Sequence, residues 1–251
     1  MKKFFLFFLC FINANLVFSE NSNISSGTGF YIDNNGHILT AYHVIRGHDD
    51  IWINNSTNKK LVHADLIKYD LLLDLALLKV SAIGAQPLNI ANWENNKSIP
   101  IGIEVCAIGY PTLGYKGTGL RITQGIVNSS EGINGEPRMF QVSAGIEKGN
   151  SGGPIVASDG SVIGIILSKL NALYIAEKTK DLPQNVNFAI KSSSIIQFLS
   201  DQEHAKPLLT NFDNKKNFRP YEILKSSELS IVRVISINKD EVEKRPNLFS
   251  N

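Results

Sequence analysis

Gly29-Phe30-Tyr31-Ile32 followed by Asp33-Asn34-Asn35-Gly36 reads as a strand running into a tight reversal. Aromatic and β-branched residues suit a pleated, half-buried surface, whereas Asp, Asn and Gly accept the dihedrals of a turn. The same grammar recurs where Asp50-Ile51-Trp52-Ile53 gives way to Asn54-Asn55-Ser56. Further along, Leu75-Ala76-Leu77-Leu78-Lys79-Val80, Ile163-Gly164-Ile165-Ile166-Leu167 and Asn187-Phe188-Ala189-Ile190 have the length and composition of buried strands. Long helical periodicity is scarce, so the expected fold class is all-β, a barrel or sandwich built from hairpins.

Working outward, Trp93 to Ile101 is rich in Asn and Lys and separates two strand-rich halves. It is the expected connection between two barrels, with the boundary near residues 93–103. Ser192-Ser193-Ser194-Ile195-Ile196-Gln197-Phe198-Leu199 opens on a serine run suited to capping and then spaces apolar residues helically, which predicts a helix on the second half. After Asp201 the chain turns polar, and then Leu229 to Ile237 alternates like a strand. Residues 202–251 are read as a tail that adds an edge strand, binds a partner or is a domain remnant, the favoured reading being an accessory element.

At 251 residues with 43% hydrophobic content, the chain is long enough to bury a sizeable core. The formal net charge is +2 and the charges are dispersed, so no basic stripe argues for nucleic acid or anionic lipid. The N-terminus reads Met1-Lys2-Lys3, then an apolar run from Phe4 to Ile12, then Val17-Phe18-Ser19 before Glu20. This is the pattern of a secretory signal peptide over residues 1–19, shorter than the roughly 20 apolar residues of a membrane span; an uncleaved signal anchor is the alternative. Cys10 falls inside that segment, which leaves Cys106 as the cysteine of the mature chain. It is expected to be an inert core thiol, with no intramolecular disulfide to staple the fold. No metal is expected, because the histidines and acids lack spacings such as His-Glu-x-x-His.

Gly149-Asn150-Ser151-Gly152-Gly153-Pro154 carries the chemistry. Glycines on both sides of one serine let the backbone approach a substrate carbonyl closely. A serine hydroxyl needs a base, and imidazole titrates in the right range. Five histidines compete. His43 follows Ile38-Leu39-Thr40-Ala41-Tyr42, a strand end entering a turn, whereas His63 reads as a strand residue, His37 and His48 sit in polar turns and His204 lies in the tail. The imidazole in turn needs a carboxylate to fix its tautomer. Asp74 precedes Leu75-Ala76-Leu77-Leu78 and is expected to be buried by that run, a costly position unless paired. Asp70 is its rival.

These words together resemble the trypsin-like serine proteases, and within them the protease domain of the HtrA/Deg family. Gly27-Thr28-Gly29-Phe30, Gly36 to Ile45, Asp74 to Leu78, Ile108-Gly109-Tyr110-Pro111, Gln124-Gly125-Ile126-Val127, Gly149 to Pro154 and Asn187 to Ile190 occur in that family's order, from Gly27 to Leu199. The resemblance implies a chymotrypsin/trypsin-like double six-stranded β-barrel with a C-terminal helix, occupying residues 20–201. It makes Ser151 the nucleophile, His43 the general base, Asp74 the orienting carboxylate, and the N–H groups of Gly149 and Ser151 the oxyanion hole. By motif position Gly145 falls at the base of the specificity pocket, with Ile146, Leu167, Ser168 and Val186 as its walls. No acid stands at Gly145, so cleavage after apolar, small-to-medium residues is expected.

The chain also departs from the pattern. Asn150 stands where zymogen-activated relatives carry an aspartate, so signal removal alone is expected to yield a competent enzyme. The stretch after Asp201 is too short for a PDZ domain, and the few residues between Glu20 and Gly27 put the family's trimer in doubt. Residues 168–186 look enlarged, as a gate or a surface excursion. The expectation is an exported serine endopeptidase, periplasmic or secreted, a monomer or small homo-oligomer that acts on proteins or peptides and binds neither cofactor nor nucleic acid. The alternative is a chaperone-like or binding protein that keeps the fold without turnover.

Overall fold

The computed structural model describes residues 23–57, 59–81, 86–92, 99–111, 119–167 and 186–244. The expected signal segment, Ser168 and most of the enlarged 168–186 stretch lie outside them. The first half forms β1 (Ile24–Tyr31), β2 (His37–Ala41), a single helical turn α1 (Tyr42–Ile45), β3 (Asp50–Asn54), β4 (Val62–His63), β5 (Asp65–Asp70) and β6 (Leu75–Lys79). The second contributes β7 (Ile90–Ala91), β8 (Glu104–Gly109), β9 (Arg121–Ser129), β10 (Met139–Val142), β11 (Pro154–Ala157), β12 (Val162–Ile166) and β13 (Asn187–Lys191). Helix α2 (Ser192–Leu199), β14 (Leu209–Thr210), α3 (Pro220–Ser227), β15 (Ile231–Ile237) and α4 (Lys239–Lys244) complete the described chain.

The hairpin grammar of the sequence is realised directly. Tyr31 pairs with Ile38 across the β1–β2 turn, and the Asp33 carboxylate accepts the N–H groups of Asn35 and His37 at 2.9 and 3.1 Å, an Asx-type reversal. The first sheet runs β4-β3-β15-β1-β2-β6-β5. Its two end strands are separated in the chain by Ala64 alone, whose N–H bonds to the Ile51 carbonyl, so the sheet curls back on itself. In the second sheet β11-β8-β9-β10-β13-β12 closes through the β11–β12 pairing, while β7 and β14 extend it beyond β12. The mostly antiparallel, two-barrel all-β fold matches the expectation.

Three apolar clusters hold this together. One draws on the first sheet and α1, including Ile38, Ile53, Leu78 and Val234. Another draws mainly on the second, including Val105, Val127, Phe140 and Ile155. The third mixes Phe30, Leu39 and Leu75 with Ile108, Val156 and Ile165, and so forms the seam between barrels. Fully burying each such side chain contributes about 1.5–3 kcal/mol, which holds the shape while Cys106, the cysteine among the described residues, stays free. Cys106 is 2% exposed in this seam, and burial, aided by Glu104, pushes its thiol up to about 11, as suits an inert residue.

Two details correct the sequence reading. Helix α2 packs on β12 and β13 as expected, but its N-cap is Lys191 rather than a serine of the run, and no side chain caps it. The tail strand is not an edge strand. β15 lies between β1 and β3, pairing Ile24 with Ile237 and Phe30 with Ile231 on one side and Ile53 with Val234 on the other. Its residues Ile231, Val232, Val234 and Ile237 are at most 1% exposed, because a central barrel strand is covered on both faces.

Candidate active site

The Ser151 loop lies against the end of β2, where a Cβ on Gly152 would fall 2.6 Å from Ala41 N. β2 delivers the chain into α1, and His43 is the second residue of that turn. Ala41 at its N-cap offers no capping side chain, yet the exposed N–H groups find acceptors: Tyr42 N–H bonds to the Asp74 carbonyl at 2.9 Å and His43 N–H to Asp74 Oδ1 at 2.8 Å. Asp74 thus does the work of a cap from another strand connection. Its second oxygen, Oδ2, lies 2.5 Å from His43 Nδ1. A carboxylate oxygen only accepts, so Nδ1 carries a proton, and in the neutral ring Nε2 keeps its lone pair.

Asp74 is not buried outright, as the sequence suggested; its side chain is 20% exposed and that of His43 35%. The apolar run begins one residue later, and Asp74 sits in the left-handed region at φ 53°, which short polar residues tolerate best. That backbone turn lets one aspartate meet both the N–H and the ring of His43. Asp70, the rival, spends its carboxylate on the N–H groups of Leu72 and Leu73. Tyr69 stacks on Tyr42 at 4.4 Å between ring centroids and braces α1 from β5.

The remaining histidines take other work. His37 Nδ1 lies 2.6 Å from Asp33 Oδ2, with side chains 7% and 5% exposed, so a His–Asp pair recurs as a lock on the β1–β2 turn. Pairing alone therefore does not mark a site; accessibility does. His63 packs edge-on against Trp52, and His48 meets Ser236 Oγ at 3.2 Å. His204 and His37 line a cavity of about 720 Å³ with Lys79 and Glu203, away from Ser151.

Ser151 lies in the turn leading into β11, 4% exposed. Gly149 and Gly152 both need positive φ, 99° and 83°, and a Cβ on Gly152 would fall 2.2 Å from the Thr28 carbonyl oxygen; only glycine permits that approach. Three N–H groups of the loop are tied down: Asn150 to the Glu147 carbonyl at 3.0 Å, Gly152 to that of Ile166 at 2.8 Å and Gly153 to that of Asn150 at 2.9 Å. Among the described residues, the N–H groups of Gly149 and Ser151 meet no acceptor, and no hydrogen bond joins Ser151 Oγ to the imidazole. The loop is thus held against β1 with these two N–H groups outside its hydrogen bonds.

Around the expected pocket, Gly145 is exposed, with Thr123 Cγ2 4.0 Å from where a Cβ would stand. Ile146 and Leu167 are 4% and 5% exposed and belong to apolar clusters, and Val186 is half-buried. Asn187 donates to the Ala144 carbonyl at 2.8 Å and ties β13 to the segment beside Gly145. Sequence reasoning gave no role to Asn187 or to Thr28, a buried threonine whose hydroxyl donates to the Gly149 carbonyl at 2.8 Å. The signal was present in Thr28, a polar side chain between two glycines at the start of an apolar strand.

Comparison with known proteins agrees with this fold. The family model for a trypsin-like peptidase domain matches residues 27–165. An uncharacterised protein of Sinorhizobium fredii is 37% identical over 175 residues, 70% of this chain and 27% of that protein. The serine endoprotease DegS of Escherichia coli is 37% identical over 171 residues, 65% of this chain and 44% of that protein. The crystal structure of the serine endoprotease from Yersinia pestis superposes with a TM-score of 0.55 at 29% identity, covering 70% of this chain and 61% of that one. The chain therefore spans less than half the length of these two sequence relatives.

Proposed function

Because the chain belongs to the family of trypsin-like peptidase domains, we propose that it is a serine endopeptidase in which Ser151, His43 and Asp74 act as nucleophile, general base and orienting acid. The observation that carries this is the double hold of Asp74 on His43, through backbone N–H and ring Nδ1, at the seam that also receives the Ser151 loop. His43 Nε2 takes the proton as Ser151 Oγ bonds to the scissile carbonyl carbon, whose π pair moves onto oxygen. The N–H groups of Gly149 and Ser151 receive that charge. Collapse of the tetrahedral adduct breaks the C–N bond, and the amine leaves with the proton held by His43. Water then repeats the sequence on the ester and frees the acid.

The absence of an acidic side chain at Gly145 and the apolar character of Ile146 and Leu167 favour cleavage after small-to-medium apolar residues, since such a pocket rewards burial of apolar area. Unfolded or exposed protein segments, as in protein quality control, are the corresponding substrates. The apolar run behind Lys2-Lys3 supports export to the periplasm or the medium, and among the described residues no helix is long and apolar enough to cross a membrane. A chaperone-like protein without turnover would share the fold, and one experiment separates the two. A fluorophosphonate probe is expected to label the folded protein at one site and to lose all labelling in Ser151→Ala, with peptide hydrolysis falling by about 10⁶. Absence of labelling in the folded wild type overturns the peptidase reading, and a peptide-library profile dominated by Arg or Lys overturns the apolar preference.

A further inference from the structure

Thr28 gathers four hydrogen bonds at 0% exposure. Its hydroxyl donates to the Gly149 carbonyl and accepts Tyr110 N–H, each at 2.8 Å. Its N–H donates to the Ser151 carbonyl at 2.8 Å, and its carbonyl accepts the Thr40 hydroxyl at 2.7 Å. One residue of the first barrel therefore grips the carbonyls on both sides of Asn150, and Tyr110 N–H, just beyond β8, orients the gripping hydroxyl.

The consequence follows from peptide planarity, because in a trans peptide the C=O and the following N–H point to opposite sides. The Asn150 carbonyl is turned inward by Gly153 N–H, so Ser151 N–H points the other way. The orientation of Gly149 N–H depends on the dihedrals of Gly149 itself, whose φ of 99° lies in a region where glycine is barely restrained. That carbonyl accepts the Thr28 hydroxyl at 2.8 Å and shares its peptide plane with Asn150 N–H, which bonds to the Glu147 carbonyl at 3.0 Å, so the plane is held from the first barrel on one edge and from within the loop on the other. We propose that Thr28 is a positioning residue for the proposed reaction, its hydroxyl locking Gly149 so that the N–H groups of Gly149 and Ser151 converge on one point. This rests on the reading of Ser151 as nucleophile. It adds that the first barrel supplies, besides base and acid, the clamp that shapes the oxyanion site of the second.

The test measures the maximal rate and half-saturation concentration of fluorophosphonate labelling for wild type, Ser151→Ala, Thr28→Val and Thr28→Ser, on the folded fraction isolated by size exclusion. Thr28→Val keeps the shape and removes the hydroxyl. It is expected to lower the maximal rate by about 10²-fold, near the effect of losing one oxyanion donor, with half-saturation changed by less than about threefold. Thr28→Ser restores the hydroxyl and is expected to stay within about threefold of wild type in both. A wild-type rate in Thr28→Val overturns the proposal, as does a Thr28→Ser rate as low as that of Thr28→Val. Should Thr28→Val yield no folded fraction, Thr28→Cys, with its weaker donor, is expected to fall between the two, and a wild-type rate in it overturns the proposal. Absence of labelling in wild type instead defeats the parent reading, so the two failures are distinguishable.

Discussion

At the scale of single residues, Asn150 shows how the loop tolerates polar burial. It is 5% exposed, and its Oδ1 has no hydrogen-bond partner among the described residues. A neutral amide survives this at modest cost, whereas a carboxylate there would be a buried charge without a counter-ion. Asn150→Asp is therefore expected to destabilise the fold by about 3–5 kcal/mol, read as a lower denaturation midpoint at neutral pH; an unchanged midpoint would show that a cation reaches this spot. The pairing of His43 with Asp74 was legible in the sequence because each stands in a distinctive local word. The two uses of Asp74 were not. That one carboxylate would cap α1 and hold the ring depends on a positive φ, which the preceding residues Leu71-Leu72-Leu73 give no hint of.

At the scale of elements, α1 is too short to be stable alone, since the first helical turn fixes several dihedrals for one hydrogen bond. It persists because its ends are held: Asp74 takes the N–H groups at its start, and Ser236 of β15 donates to the Val44 carbonyl at 2.6 Å. Ser236 is wholly buried. Ser236→Ala leaves that carbonyl without this donor and is expected to cost about 1–3 kcal/mol, slowing fluorophosphonate labelling as His43 loses its footing. A stability loss with unchanged labelling kinetics would mean that β15 supports the barrel but not the histidine. The alternation of Leu229 to Ile237 identified this strand, but not its neighbours. Alternation reports a period of two and says nothing about register or partners, so an edge position and a central one look alike until the barrel is assembled.

At the scale of the molecule, two barrels meet at a seam that buries Phe30, Leu39 and Leu75 against Ile108, Val156 and Ile165, and the proposed chemistry is shared across it. The two-barrel class was readable from hairpin grammar, because turn residues and strand lengths are local. Which strand joins β1 to β3 in the first sheet was not, since β1 pairs with a partner some two hundred positions away, and contacts of such separation leave no local trace. Chains halted before Leu229 are thus expected to resist labelling by a fluorophosphonate, whereas the full chain reacts; labelling of the halted chain would mean that β1 and β3 find each other without β15. The order of synthesis then acquires a meaning. The ribosome makes His43, Asp74 and Ser151 well before it makes β15, so a copy halted ahead of that strand has nothing to join β1 to β3. The proposed hydrolase is thus expected to stay silent toward its own nascent chain, and to become competent only once β15 has slid between β1 and β3, strands made long before it.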